Sequence, residues 1–157
     1  KGQSSPTSDM GKITTSTPYG KIEVPFSPLN YYMTVGVSYI ASYYSSKPKI
    51  LANFIQEAMN HKGFSIVHIQ SPCTTYNDTY ELLKGKPREG IPGLAWEIPE
   101  DHDPTSENSA FDLLKKPGIP LGLIYKTEGK TLEDRQEEIR QKVAEKDIDT
   151  TMSQYVI

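Results

Sequence analysis

Cys73, the only cysteine in the chain, is the side chain whose type and position best suit catalysis or metal binding. It follows directly after a predicted apolar strand, in the segment Ser71–Thr75 (SPCTT). Because ligands gather outside the carboxyl ends of strands in open α/β sheets, a thiol at this place is a candidate nucleophile or metal ligand. The competing interpretation is a buried, inert side chain, which is the commoner role of a lone cysteine. The residues alone leave both interpretations open.

None of the three histidines is placed to assist that thiol. A nucleophilic cysteine needs a base held close to it. His68 lies within the preceding strand, where a period of two places it on the face opposite Cys73. His61 lies at the end of a predicted helix, where we expect it to contact the last carbonyls, and His102 lies in an acidic loop. No pair has the spacing of a zinc site, and one cysteine does not hold an iron–sulfur cluster alone.

Two further groups of side chains have structural rather than catalytic interpretations. For the acidic loop we favour a solvated surface; its members are Glu97, Glu100, Asp101 and Asp103. For the clustered tyrosines we favour packing and interface roles; they are Tyr31, Tyr32, Tyr39, Tyr43 and Tyr44. Because no basic groove accompanies these rings, they are not a platform for stacking nucleic-acid bases.

The first twenty residues have the composition of either a tail or a ligand loop. They include four serines, four threonines, three glycines and two prolines. Such a composition is typical of a flexible tail. The alternative is a loop whose hydroxyls and backbone N–H groups face a polyanionic ligand, because glycine and hydroxyl residues permit that arrangement around phosphates.

Composition and charge restrict the class of protein. The chain has 157 residues, enough for one ordinary domain, and a formal net charge of −3. No basic run supports binding to nucleic acid. No apolar stretch reaches the ~20 residues that a membrane helix requires, and no signal peptide is apparent. A single cysteine is typical of a reducing compartment, so we expect a cytoplasmic protein without internal disulfides.

The elements that position Cys73 follow from caps and periodicity. Ser27 and Pro28 predict the start of a short helix that runs to about Thr34, and the alternation from Val37 to Tyr43 predicts a strand. A second helix, capped by Ser46, carries a broad apolar face and ends at Gly63 as a left-handed terminator. The apolar run Phe64–Ile69 predicts a second strand. Strand, helix and strand with short connections form the crossover unit of a parallel sheet.

The remainder of the chain contains one more strand and a polar helix. Residues 84–109 are rich in proline and glycine and are predicted to be loop, and Leu121–Tyr125 is predicted to be a strand. A helix from Thr131 to about Lys146 begins with a partial capping box of Thr131 and Asp134. Its narrow apolar stripe places it on the surface or against a partner; the stripe consists of Leu132, Ile139 and Val143. The predicted fold is therefore α/β, with a parallel sheet flanked by helices.

Five stretches resemble, in order, motifs of the thiamine-diphosphate-binding beta subunit of archaeal-type 2-oxoacid:ferredoxin oxidoreductases. They are Lys1–Thr7 (KGQSSPT), Thr17–Phe26 (TPYGKIEVPF), His61–Phe64 with Ser71–Thr74 (HKGF and SPCT), His102–Pro104 (HDP) and Ile119–Gly122 (IPLG). The match is collinear from Lys1 to about Tyr125, and the terminal helix and tail carry less of it. The resemblance implies that residues 1–126 are the C-terminal half of a thiamine-diphosphate-binding domain of the pyrophosphate-binding type, with residues 127–157 as a C-terminal helix and tail.

The resemblance also implies a reaction and its cofactors. Members of this family oxidatively decarboxylate a 2-oxoacid with coenzyme A, giving acyl-CoA, CO2 and reduced ferredoxin. Thiamine diphosphate with Mg²⁺ supplies the carbanion chemistry, and a [4Fe–4S] cluster carries electrons away. The expected partners are an alpha subunit, which completes a heterodimer, and ferredoxin, while nucleic acid and membrane are not expected. The residues do not choose among pyruvate, 2-oxoglutarate and other 2-oxoacids.

Individual site residues are assigned by the same resemblance. Cys73 corresponds to the fourth cysteine ligand of the cluster. Gly2, Gln3 and Ser4 would line the cofactor pocket, and Lys1 would offer a positive charge to a substrate carboxylate, an intermediate or coenzyme A. The family's other three cysteines and its magnesium-binding GDG…N motif precede these segments and are not in this chain, so we expect the isolated 157-residue chain to be inactive.

Two other functions stay open at this point. One is a non-catalytic assembly subunit that keeps the fold, with the tyrosine-rich surface and the polar helix as its working parts. The other is a thiol hydrolase that uses Cys73. The sequence upstream of this segment distinguishes the oxidoreductase from the assembly subunit, because the enzyme would carry the GDG…N motif and the early cysteines there. Inactivity of Cys73 toward thiol-specific alkylation in the intact complex would count against the hydrolase.

Overall fold

The computed structural model describes residues 2–143 and 147–155, which form one mixed sheet, a small hairpin and flanking helices. The helices are α1 (Pro28–Thr34), α2 (Pro48–Asn60), α3 (Tyr80–Lys84), α4 (Glu107–Lys115), α5 (Leu132–Lys142) and α6 (Ile148–Ser153). The strands are β1 (Tyr39–Tyr44), β2 (Ser65–Gln70), β3 (Gly85–Lys86), β4 (Ile91–Pro92), β5 (Ala95–Glu97) and β6 (Ile119–Lys126). None of the helices in these described ranges is long and apolar enough to cross a membrane.

The main sheet confirms the α/β prediction, but its strands are not all parallel. Its order is β2-β1-β6-β5. β1 and β2 are parallel, as the crossover through α2 requires, and β5 and β6 are parallel through α4. β1 and β6 are antiparallel, with Ser42 opposite Gly122. β5 begins at the end of the sheet where β2 ends. The unit β5–α4–β6 therefore runs in the direction opposite to the unit β1–α2–β2.

Helices cover both faces of β1, which is buried at all six positions. On one face Ile40 packs with residues of α1 and α4; this cluster is Leu29, Met33, Val37, Ile40, Ala110, Leu113 and Ile124. On the other face Tyr43 packs with Leu51 of α2. The alternation that predicts the strand is therefore not an inside–outside pattern, because a central strand between two helical layers is buried on both sides.

The ends of α2 differ from the prediction. The N-cap is Lys47, without a side-chain cap hydrogen bond, so Ser46 is not the cap. Gly63 has φ of 148°, outside the left-handed helical region of a helix terminator. A Cβ at Gly63 would lie 2.4 Å from Ser38 Oγ. Glycine is therefore required here because its backbone lies too close to Ser38 for a side chain. Ser38 also explains the position of the His61 ring. Its Nε2 lies 2.9 Å from the same oxygen and not, as the sequence predicts, against the last helical carbonyls.

The predicted loop at residues 84–109 contains more regular structure than its composition suggests. It includes β3, β4 and β5, and α4 begins at Glu107, where the Ser106 side chain accepts a hydrogen bond from Ser109 N–H. The strands β3 and β4 are two residues each, so no periodicity reveals them. The sequence analysis did not predict α4, although a serine N-cap is a standard helix signal. This helix supplies Ala110 and Leu113 to the core.

The polar helix α5 begins as predicted. Thr131 accepts from Asp134 N–H and Asp134 accepts from Thr131 N–H, which completes the capping box. The helix ends at Lys142 instead of about Lys146, and residues 144–146 lie outside the described residues. Its apolar stripe is exposed, as expected for a surface helix; Leu132, Ile139 and Val143 are 66%, 62% and 60% exposed.

Candidate functional site

The opening residues form a hydrogen-bonded loop, so the interpretation as a tail is wrong. Thr14 and Thr17 make an antiparallel bridge at its tip. The Thr15 backbone N–H and hydroxyl both donate to Gly2 O, at 3.0 and 2.7 Å. Ser4 N–H donates to Ser16 Oγ at 2.9 Å. These bonds connect residues more than ten positions apart and hold the Gly2–Ser4 stretch against the returning arm of the loop.

A buried lysine lies beneath this loop. Lys21 is 5% exposed, and its Nζ donates to the backbone carbonyls of Pro6, Ser8 and Glu23 at 3.2, 3.0 and 3.2 Å. The Lys21 backbone also joins the two arms, because its N–H donates to Lys12 O. Lys21 therefore joins the two arms through both its side chain and its backbone.

The loop packs against the turn that contains Cys73. Lys12 Nζ donates to Asn77 Oδ1 at 2.6 Å. At Gly2, a Cβ would lie 3.5 Å from the ring of Tyr76, so the loop backbone rests directly on this turn. The structure therefore brings the predicted cofactor-binding segment and the predicted metal ligand together, although about seventy residues separate them in the sequence.

Cys73 is an exposed free thiol at the carboxyl end of β2. Its backbone N–H and carbonyl pair with Asn77 in an isolated bridge, at 3.2 and 2.9 Å. Backbone N–H groups of Tyr76, Thr75 and Asn77 point at the sulfur and lower the pKa of the thiol below its ordinary value, against a smaller opposing effect of burial. The interpretation as a buried side chain is wrong, because the thiol is exposed, and an exposed thiol with a lowered pKa is suited to metal binding.

These contacts predict that the Cys73 thiol of the iron-free protein has a lowered pKa. We expect the rate of alkylation of Cys73 by iodoacetamide to rise with pH around a midpoint lower than that of N-acetylcysteine, because the thiolate is the reacting form and the surrounding N–H groups stabilise it. The measurement is the alkylation rate from pH 5 to 10, followed by mass spectrometry. A midpoint equal to or above that of the free thiol contradicts the prediction.

The histidines are engaged elsewhere. His102 Nε2 lies 2.9 Å from Ile124 O and its Nδ1 lies 3.1 Å from Ser109 Oγ. His68 packs against the Tyr32 ring, and burial lowers its pKa. With His61 bonded to Ser38, no histidine supplies a base to Cys73 in the described part of the chain. Within those same residues no group of three or more His, Cys, Asp or Glu side chains could hold a metal ion.

The acidic loop and the core tyrosines have structural roles. Glu97 accepts a hydrogen bond of 2.8 Å from Tyr43 Oη. Burial, with the Glu97 hydrogen bond and charge, raises the pKa of Tyr43 to about 12. Asp103 accepts from the Thr105 N–H and hydroxyl, and these bonds lower its pKa. The Asp103 contacts stabilise the turn that precedes α4.

Of the predicted pocket residues, Gly2 and Ser4 are half-buried and Gln3 is exposed. Gly2 has φ of 67°, a backbone conformation that favours glycine. Gln3 is exposed and makes no hydrogen bond to another described residue, and Ser4 Oγ lies 3.0 Å from Ser16 Oγ. Lys1, the predicted catalytic residue, lies outside the described residues. The sequence reasoning missed Lys12, Lys21 and Asn77, because their contacts have no local periodicity; only the density of polar residues in the loop pointed there.

Comparison with known families and solved structures identifies what this chain is similar to. A family described as pyruvate ferredoxin oxidoreductase beta subunit, C terminal, matches residues 94–141. The solved structure of 2-oxoglutarate:ferredoxin oxidoreductase from Magnetococcus marinus, with 2-oxoglutarate, coenzyme A and succinyl-CoA bound, aligns with a TM-score of 0.86 and 36% identity. That alignment covers 100% of this chain and 54% of the other.

Curated relatives have the same kind of name. The 2-oxoacid:ferredoxin oxidoreductase subunit beta of Saccharolobus solfataricus is 35% identical over 82% of this chain and 44% of its own length. The 2-oxoglutarate synthase subunit KorB of Methanothermobacter marburgensis is 40% identical over 48% of this chain and 26% of its own length. The chain therefore spans less than half the length of these curated relatives.

Proposed function

Because the chain belongs to the family of 2-oxoacid:ferredoxin oxidoreductase beta subunits, we propose that it contributes the C-terminal half of the thiamine-diphosphate-binding domain to such an enzyme. The enzyme would oxidatively decarboxylate a 2-oxoacid with coenzyme A, giving acyl-CoA, CO2 and reduced ferredoxin. Residues 1–126 would form the half-domain, and residues 127–157 the C-terminal helix and tail.

One observation supports this proposal above the others. The exposed Cys73 thiol, surrounded by backbone N–H groups, lies in a turn that is bonded to the opening loop through Lys12 and Asn77. An electron acceptor held by Cys73 and a cofactor held by the loop would therefore be neighbours. A thiol hydrolase lacks such support, since no described histidine contacts Cys73.

The donor set fits one corner of an iron–sulfur cluster and no more. Cys73 offers a thiolate in an exposed position, and the cluster of this enzyme class needs four cysteine ligands. No described group of three metal-binding side chains is present, so the remaining ligands would come from residues outside this chain segment. A [4Fe–4S] cluster held there would accept electrons one at a time and pass them to ferredoxin.

The opening loop fits the edge of a site for thiamine diphosphate with Mg²⁺. That cofactor supplies carbanion chemistry when it is bound. Gly2 gives close backbone approach, Gln3 offers an unbonded amide, and Ser4 offers a hydroxyl already oriented by Ser16. Lys1 would place an ammonium beside these groups, for a substrate carboxylate or a coenzyme A phosphate. An alpha subunit would complete the site.

The test is turnover by the purified complex of the full-length beta subunit with its alpha subunit. We expect reduction of ferredoxin that depends on both a 2-oxoacid and coenzyme A, with pyruvate, 2-oxoglutarate and a branched 2-oxoacid compared to assign the substrate. Omission of coenzyme A is the matched control. A complex that assembles but binds no thiamine diphosphate and reduces no ferredoxin contradicts the proposal and favours a non-catalytic assembly subunit.

A further inference from the structure

Lys21 is the described charged side chain whose burial most needs an explanation. It is 5% exposed, and each of its three N–H groups has a backbone carbonyl as acceptor. None of the ion pairs among the described residues includes Lys21. Removing an ammonium from water is unfavourable unless all of its donors are bonded, and three carbonyls meet that condition here.

The three carbonyls come from both arms of the opening loop. Pro6 and Ser8 belong to the outgoing arm and Glu23 to the returning arm. An apolar side chain of the same length would fill the volume but would bond none of them. The ammonium therefore holds the two arms at one separation, as a single centre with three directed bonds.

Lys21 also connects the loop to the cysteine turn. Its backbone N–H donates to Lys12 O at 3.0 Å, and its carbonyl accepts from Gly11 N–H at 2.6 Å. These bonds fix the backbone at Lys12, whose side chain reaches Asn77 in the Cys73 turn. A chain of bonded residues thus runs from the buried ammonium to the turn that presents the thiol.

We propose that Lys21 is a positioning residue for the thiamine diphosphate site: it sets the backbone of the opening loop, so that the Gly2–Ser4 stretch and the Cys73 turn meet in one arrangement. The inference rests on the proposed function, because it concerns the same site. Lys21 itself does not contact the cofactor, since all three of its donors are already bonded to backbone carbonyls.

The test compares Lys21→Met with Lys49→Met in the full complex. Lys49 is exposed on α2 and serves as the matched control. Calorimetric titration with thiamine diphosphate and Mg²⁺ should show affinity weakened about tenfold or more by Lys21→Met and changed less than about twofold by Lys49→Met. The apparent KM for thiamine diphosphate should rise while kcat at saturating cofactor changes little, and the visible iron–sulfur absorbance should stay. Lys21→Arg should recover part of the affinity.

Each result separates the inference from the function on which it rests. If the unmodified complex binds no thiamine diphosphate, the proposed function is wrong. If it binds and Lys21→Met binds equally well, with or without a lower melting temperature, the inference is wrong and Lys21 only stabilises the fold. If Lys21→Met does not assemble, Lys21→Gln, which keeps two donors, replaces it; unchanged affinity in that variant overturns the inference, and weakened affinity supports it.

Discussion

From the proposed role of Cys73 as a cluster ligand, we expect its replacement by alanine to abolish the visible iron–sulfur absorbance of the intact complex and to remove most of its bound iron. The side chain is the only thiol of the chain and is exposed at the carboxyl end of β2. A cluster that loses one of its four thiolate ligands keeps an open iron site that is prone to oxidative loss. Ferredoxin reduction should be lost with the cluster. The measurement is the ultraviolet–visible spectrum with iron and sulfide analysis after anaerobic purification.

The matched control for this prediction is Thr74→Ala. Thr74 is exposed and next to Cys73, and its hydroxyl makes no hydrogen bond among the described residues. Its substitution should leave spectrum and iron content unchanged, which shows that the effect belongs to the sulfur and not to the turn. Survival of the full absorbance in Cys73→Ala would remove the metal assignment.

Replacing Ile124 by alanine is expected to lower the free energy of unfolding of the beta subunit by about 2–5 kcal/mol. Ile124 is fully buried in β6 and belongs to the cluster that joins the sheet to α1 and α4. Its truncation leaves a cavity between layers that cannot collapse, because β6 is paired on both sides. The measurement is urea unfolding followed by circular dichroism.

Ile139→Ala is the control for the core prediction. Ile139 has the same side chain but is 62% exposed on α5. Its substitution should change the free energy of unfolding by no more than about 0.5 kcal/mol. Equal losses in the two variants would contradict the assignment of β6 to the core, and a large loss at Ile139 alone would show that α5 is covered within the folded beta subunit.

These two predictions concern different functions of one sheet. The carboxyl end of β2 presents Cys73, and the pairing of β1 with β2 fixes that edge. The buried cluster around Ile124 holds the sheet that carries this edge. A destabilised core should therefore lower the yield of folded complex, whereas a Cys73 substitution should leave the fold intact and remove only the proposed cluster ligand.

The elements with strong local signals were predictable from the sequence. Pro28 begins α1 and Thr131 with Asp134 caps α5, as the residue types indicated. The parallel pairing of β1 and β2 followed from two apolar strands joined by one helix. These signals involve residues within a few positions of each other, so they can be read without the tertiary structure, although the predicted Ser46 cap of α2 was wrong. The motifs that resemble the oxidoreductase family also needed no coordinates.

Only the tertiary structure decided the direction of β6, the exposure of Cys73 and the burial of Lys21. β6 lies antiparallel to β1 because β5, to which β6 is parallel, begins at the end of the sheet where β2 ends. Lys21 is buried because its loop folds around it, and Lys12 meets Asn77 across 65 positions. Each depends on which distant segments come into contact, and that choice results from the packing of the whole domain, not from the propensity of any short stretch.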